Sequence, residues 1–107
     1  PSAIAHITGG GLPGNVPRVL PEGCAARIKR GSWPVPPIYD VIQKLGDIDD
    51  AEMFSTFNMG LGMVLLVSPH FVDSIMHQLR EHGMQSWKIG SALAADATTQ
   101  RVVLSKE

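Results

Sequence analysis

Ala3-Ile4-Ala5-His6-Ile7-Thr8-Gly9-Gly10-Gly11 alternates small or polar residues with apolar ones and then runs into three adjacent glycines. Alternation at period two marks a strand with one buried face, and the glycines supply the turn at its end. Leu12, Val16, Val19 and Leu20 then recur at helical spacing up to Pro21. Asn15 is placed to cap that helix, and Pro17 is tolerable only in a first turn. Strand, glycine turn and short helix is the expected order, with the turn at the strand's end as the natural place for a ligand.

Working outward, Cys24 to Lys29 reads as a brief strand closed by Gly31, and Trp33 with Pro34, Pro36 and Pro37 makes a stiff connector. Pro37 suits the first turn of a helix whose Ile38, Val41, Ile42 and Leu45 form an apolar stripe to be buried, stopped by Gly46. Asp49 with Glu52 three residues later predicts a capping box, and Met53, Phe54 and Phe57 supply that helix's buried face. Asn58 to Gly62 interrupts it. The unbroken apolar run Met63 to Val67 predicts a central strand covered on both faces. Ser68-Pro69 starts a helix with the stripe Phe71, Val72, Ile75, Met76 and Leu79, ending at Gly83. Trp87 to Ala95 and Arg101 to Ser105 read as two closing strands around a polar Asp96 to Gln100 turn. The sum is an α/β (α+β) layered domain, a mixed β-sheet covered by helices.

The 107 residues suffice for one small domain. A formal charge of -1 without a basic block argues against nucleic acid as a partner. The longest apolar stretch falls far short of the roughly 20 residues of a membrane span, so a soluble protein is expected. Cys24 is the single cysteine and no charged or apolar leader precedes the first motif, so neither a disulfide framework nor a secretory signal is indicated and a cytoplasmic setting is expected. The chain opens Pro1-Ser2 and enters its most distinctive motif within six residues, which predicts a piece of a longer protein.

Four blocks stand in order along nearly the whole chain: Ala5-His6-Ile7-Thr8-Gly9-Gly10-Gly11, Asn15-Val16-Pro17-Arg18-Val19-Leu20-Pro21, Thr56-Phe57-Asn58-Met59-Gly60-Leu61-Gly62-Met63 and Trp87-Lys88-Ile89-Gly90. Together they resemble the C-terminal domain of aminoimidazole ribonucleotide synthetase, the phosphoribosylformylglycinamidine cyclo-ligase family. The resemblance implies that residues 1–107 are most of that C-terminal domain, and that an N-terminal domain carrying most of the ATP and Mg ligands and the main homodimer contact lies outside them. It implies ATP-dependent cyclisation of formylglycinamidine ribonucleotide to aminoimidazole ribonucleotide in purine synthesis. ADP and phosphate are released, and the formyl amide oxygen is phosphorylated before the amidine nitrogen attacks. One departure stands out: the family commonly has Glu just before the Asn matching Asn15, and here Gly14 is there.

Gly9, Gly10 and Gly11 at a strand-to-helix turn let backbone approach a ligand, and the N–H groups beyond favour an anion such as a phosphate. The plainer reading is a tight turn and nothing more. His6 and Thr8, two residues apart on a strand, share a face toward that turn. With the resemblance, His6 becomes a candidate catalytic residue that can donate to the amide oxygen or move a proton during ring closure. Thr8, Gly9, Gly10, Gly11, Asn15, Arg18 and Asn58 become candidate substrate contacts. Against these stand a structural strand histidine, a solvated surface Arg18, and an Asn58 amide that satisfies the backbone of a turn.

Met53, Met59, Met63, Phe54 and Phe57 read as core, not as a cofactor box. His70 and His77 share a helix face but have no carboxylate or thiolate constellation to join, and Asp47, Asp49 and Asp50 are explained by capping, so no metal site is expected. Cys24 reads as a small buried residue. Two other functions stay open from sequence. One is a different ATP-dependent enzyme of the same superfamily, such as thiamine monophosphate kinase or selenophosphate synthetase. The other is a stand-alone phosphate- or nucleotide-binding module without catalysis.

Overall fold

A computed structural model describes residues 3–95 and 100–105. The opening alternation forms strand β1, Ala3–His6. Its period carries on past the strand: Ala5 and Ile7 are buried, while Ile4, His6 and Thr8 face outward. Helix α1, Gly11–Asn15, follows directly, and a 3-10 turn at Val16–Val19 takes over where Pro17 cannot donate to an α-helical ladder. The predicted single helix is therefore two short pieces. Asn15 ends the first without capping the second, because its side chain reaches back toward the glycines.

Strand β2, Cys24–Lys29, has the predicted bounds. Helix α2 is Pro37–Gly46, and it terminates on Asp47 in the left-handed conformation at φ 51, one residue beyond the predicted glycine stop. Most of its stripe is uncovered, with Ile42 half-buried. Ile38, Val41 and Leu45 are exposed, Leu45 at 85%, and the helix meets the core through Tyr39. Helix α3, Asp50–Thr56, has half the predicted capping box: the Asp49 carboxylate accepts from Glu52 N–H at 2.8 Å, whereas Glu52 accepts from the Thr56 hydroxyl. Met53 and Phe54 are buried as the spacing requires.

Strand β3, Met63–Leu66, pairs antiparallel with β1, His6 opposite Met63 and Ala3 opposite Leu66. It was expected to be a central strand covered on both faces. Instead it is half of a two-stranded sheet, and Met63 is exposed. A 3-10 turn at Pro69–Phe71 leads into α4, Val72–Glu81, where the Ser68 side chain makes no capping bond and no residue is fully buried. Strands β4, Gly90–Ala94, and β5, Val102–Ser105, flank β2 on opposite sides, β4 antiparallel and β5 parallel. This is the mixed sheet. Every residue of β4 is exposed, so its predicted alternation does not produce a buried face. Residues 96–99 of the predicted Asp96 to Gln100 turn lie outside the described residues.

The core joins the two sheets through Ala5, Ile7, Leu12, Val16, Ile28, Trp33, Met53 and Phe54. The radius of gyration is 14.2 Å, against about 13 Å for a compact chain of this length. The excess fits the bare stripe on α2 and the open apolar cleft between the sheets, lined by Val16, Leu20, Ile28, Val64 and Leu66. Among the described residues no helix is long and apolar enough to cross a membrane.

Two glycines lie too close to neighbouring backbone to carry a side chain. A Cβ on Gly11 would lie 1.9 Å from Phe54 O and 2.7 Å from Phe57 O, and the residue also sits at φ +61. A Cβ on Gly90 would lie 1.9 Å from Arg27 O across the β2–β4 ladder. Gly9, by contrast, has nothing within 4 Å of a built Cβ and no left-handed φ. Gly11→Ala is therefore expected to cost about 3 kcal/mol or more through overpacking and backbone strain, and Gly9→Ala less than about 1 kcal/mol. Chemical denaturation of the two variants side by side checks the contrast.

Candidate functional site

The glycine turn is organised around one buried side chain. Gly10 at φ 97 and Gly11 at φ 61 swing the backbone so that several carbonyls converge on Asn15, which is only 3% exposed. The Asn15 amide nitrogen donates to Gly11 O at 2.8 Å, Thr8 O at 3.2 Å and Gly9 O at 3.3 Å. Its amide oxygen accepts from the Thr8 hydroxyl at 3.1 Å. The Gly11 N–H is also taken, by Thr8 O at 3.0 Å. Asn15 and Gly11 were expected to touch substrate. Both are buried, with their polar groups committed inside the turn, so they shape the loop from within.

What the turn presents outward is different. His6 and Thr8 stand exposed on the same side, as their spacing predicts, and His6 makes no side-chain hydrogen bond among the described residues. Gly9 is exposed and Gly10 half-buried. Arg18 projects from the 3-10 turn, exposed and without an ion-pair partner among the described residues.

The second motif block lies against the first. Phe57 O abuts Gly11, Ile7 N–H donates to Gly62 O at 2.9 Å, and His6 pairs with Met63. Asn58 thus belongs to a segment packed on the glycine turn. Its amide oxygen accepts from Gly60 N–H at 2.8 Å and from the Tyr39 hydroxyl at 3.0 Å, which stabilises the left-handed Met59 at φ 55 and Gly60 at φ 97. That oxygen is spent on the turn, leaving the amide nitrogen as the group able to face a ligand. Trp33 Nε1 donates to Met59 O at 3.0 Å and secures the same turn from the connector side.

Three contributors are invisible to pattern reading. Tyr39 lies within a helix and Trp33 within a stiff connector, yet their polar tips hold the Asn58 turn. Arg101 donates to Cys24 O at 2.9 Å, Leu20 O at 3.2 Å and Pro21 O at 3.3 Å, fastening the exit of the Arg18 segment to the start of β5. An arginine in a polar stretch gives no sign of partners some eighty residues away. No group of three or more His, Cys, Asp or Glu able to hold a metal ion occurs among the described residues. His77 pairs with Glu81 one helical turn on, at 3.0 Å, and Cys24 is partly buried at the start of β2.

Known proteins resemble this chain along most of its length. The family model for the C-terminal domain of AIR synthase related proteins matches residues 1–102. A phosphoribosylformylglycinamidine cyclo-ligase of Bifidobacterium animalis subsp. lactis is 52% identical over 102 residues, covering 95% of this chain and 29% of that protein. A protein of the same name from Trichlorobacter lovleyi is 49% identical over 104 residues, covering 96% and 30%. One from Pseudothermotoga lettingae is 48% identical over 93 residues, covering 87% and 28%. The chain thus spans less than a third of the length of these relatives.

Removing the Asn15 amide strands the converging carbonyls. Asn15→Ala is expected to destabilise by about 2 kcal/mol or more, and Asn15→Asp at least as much, because an oxygen then faces three carbonyl oxygens. Urea unfolding of the variants against wild type is the check.

Proposed function

Because the chain belongs to the family of AIR synthase related protein C-terminal domains, we propose that it forms the substrate side of a cyclo-ligase that closes the imidazole ring in purine synthesis. The reaction converts formylglycinamidine ribonucleotide to aminoimidazole ribonucleotide with ATP as phosphoryl donor. The observation that carries this reading is the rigid turn itself: a buried amide holds the loop while His6 and Thr8 stand exposed beside it. Relatives named as cyclo-ligases share about half of their residues with this chain over the aligned stretch.

In the proposed course, the formyl amide oxygen takes the terminal phosphoryl group of ATP, the amidine nitrogen attacks the activated carbon, and phosphate and a proton depart. His6 has no competing side-chain partner among the described residues, and an imidazole ring can both give and take a proton, which suits it to donating to the amide oxygen or moving the ring-closure proton. Arg18 suits the ribonucleotide phosphate through its planar fork. The described residues offer no donor cluster for Mg, so no step is assigned to the metal. Its ligands, and those of ATP, belong on this reading to a further domain of the intact enzyme, a cytoplasmic homodimer.

The full-length protein is expected to make aminoimidazole ribonucleotide from formylglycinamidine ribonucleotide and ATP, and to restore purine-free growth to a strain lacking its cyclo-ligase. Turnover of thiamine monophosphate or selenide in place of the ribonucleotide would overturn the assignment. His6→Ala is expected to lower kcat by about a hundredfold while changing stability by less than about 0.5 kcal/mol, as befits an exposed side chain without bonds to lose. Steady-state kinetics paired with thermal melts separates the two effects.

A further inference from the structure

Thr8 is exposed, yet one of its hydrogen-bonding capacities is already fixed from beneath. The Asn15 amide cannot be turned the other way, because the end that carries its nitrogen faces the carbonyl oxygens of Thr8, Gly9 and Gly11 at 3.2, 3.3 and 2.8 Å. An oxygen there would meet three acceptors with no hydrogen between them, so the network itself determines which end is NH2. The other end is then a carbonyl oxygen, an acceptor only, and it lies 3.1 Å from Thr8 Oγ1. A hydroxyl has one hydrogen and two lone pairs. The Thr8 hydrogen must go to Asn15, and only lone pairs remain on the exposed side.

From this we infer that Thr8 is a specificity residue that acts as an acceptor: the ligand atom it meets carries an N–H or O–H, and is not a phosphate oxygen. The inference rests on the reading of the His6–Thr8 face as the substrate side. A phosphate at physiological pH offers acceptor oxygens, which a lone pair on Thr8 repels. To receive one, Thr8 would have to withdraw its hydrogen from Asn15 and leave a buried amide oxygen unpartnered. An amide or amidine N–H, or a ribose hydroxyl, meets Thr8 without disturbing the turn. The phosphate is thereby excluded from the one threonine beside the glycines and falls to other donors.

The test compares wild type, Thr8→Ser and Thr8→Val in the full-length protein, with formylglycinamidine ribonucleotide and with its 5′-dephosphorylated nucleoside. Wild-type turnover of the ribonucleotide is measured first; its absence overturns the cyclo-ligase reading and this inference with it. Given turnover, Thr8→Ser is expected within about twofold of wild type, and Thr8→Val, which loses both the lone pairs and the hydrogen that Asn15 accepts, at least about tenfold lower in kcat/KM. The same factor is expected on the nucleoside. A Thr8→Val effect that vanishes when the phosphate is absent, or no effect on either substrate, overturns the inference.

A crystal structure of the unmutated full-length protein with bound ribonucleotide separates the loss of a ligand contact from the loss of the Asn15 bond, whether or not Thr8→Val folds. A ligand nitrogen or hydroxyl donor within hydrogen-bond distance of Thr8 Oγ1 supports the inference. A phosphate oxygen there, or no ligand atom within reach, overturns it.

Discussion

The four hydrogen bonds of the Asn15 side chain are the constraint around which this region is built. A buried amide with its donors and acceptor satisfied is stable, and the same amide with one partner removed is costly, so the turn has little freedom to rearrange. The consequence reaches past the turn. Gly10 and Gly11 must adopt left-handed conformations to aim their neighbours' carbonyls inward, and that path brings Gly11 so close to the end of α3 that no side chain fits. Contact with α3 in turn sets the Phe57–Gly62 segment against the strand end. Tyr39 and Trp33 hold that segment from the other side, so two motif blocks separated by some fifty residues become one surface.

Local order was readable wherever it depended on local chemistry. The bounds of β2, the start of α2 at Pro37, the Asp49 cap of α3 and the apolar strand at Met63 follow from proline geometry, capping and periodicity. Pairing was not readable. An apolar run such as Met63–Leu66 has the composition of a central strand, but whether it gains one neighbour or two is settled by other segments, and among the described residues it pairs with β1 alone. The stripe on α2 shows the same limit: the amphipathic pattern is real, and Leu45 is nonetheless exposed, because a pattern specifies a face and not what covers it.

The candidate site was legible by position and less so by role. His6 and Thr8 face outward together, as alternation requires. Asn15 shows why residue type misleads. By type and position Asn15 reads as a cap for the short helix after the glycines, but three carbonyls brought together by two left-handed glycines offer its nitrogen a richer set of partners, and it turns backward. The Asn58 oxygen satisfies the Gly60 turn, as the plainer of its two readings expects, and its amide nitrogen is left for the other. Arg101, whose partners lie near residue 20, leaves no local trace at all.

A division of labour follows from where hydrogens and lone pairs are consumed. The residues most suggestive of ligand binding by type, Asn15 and Gly11, are the ones the turn uses for itself, while the residues with capacity to spare are His6, Thr8 and Arg18. On the proposed reading these differ in what they accept. Thr8 takes a donor, and Arg18 can only give hydrogens, so the neutral, hydrogen-bearing part of a ribonucleotide and its phosphate are read by different side chains. Packing does not dictate Gly14: a Cβ there would meet nothing within 4 Å, which leaves room for the carboxylate that the resemblance leads one to expect just before the asparagine.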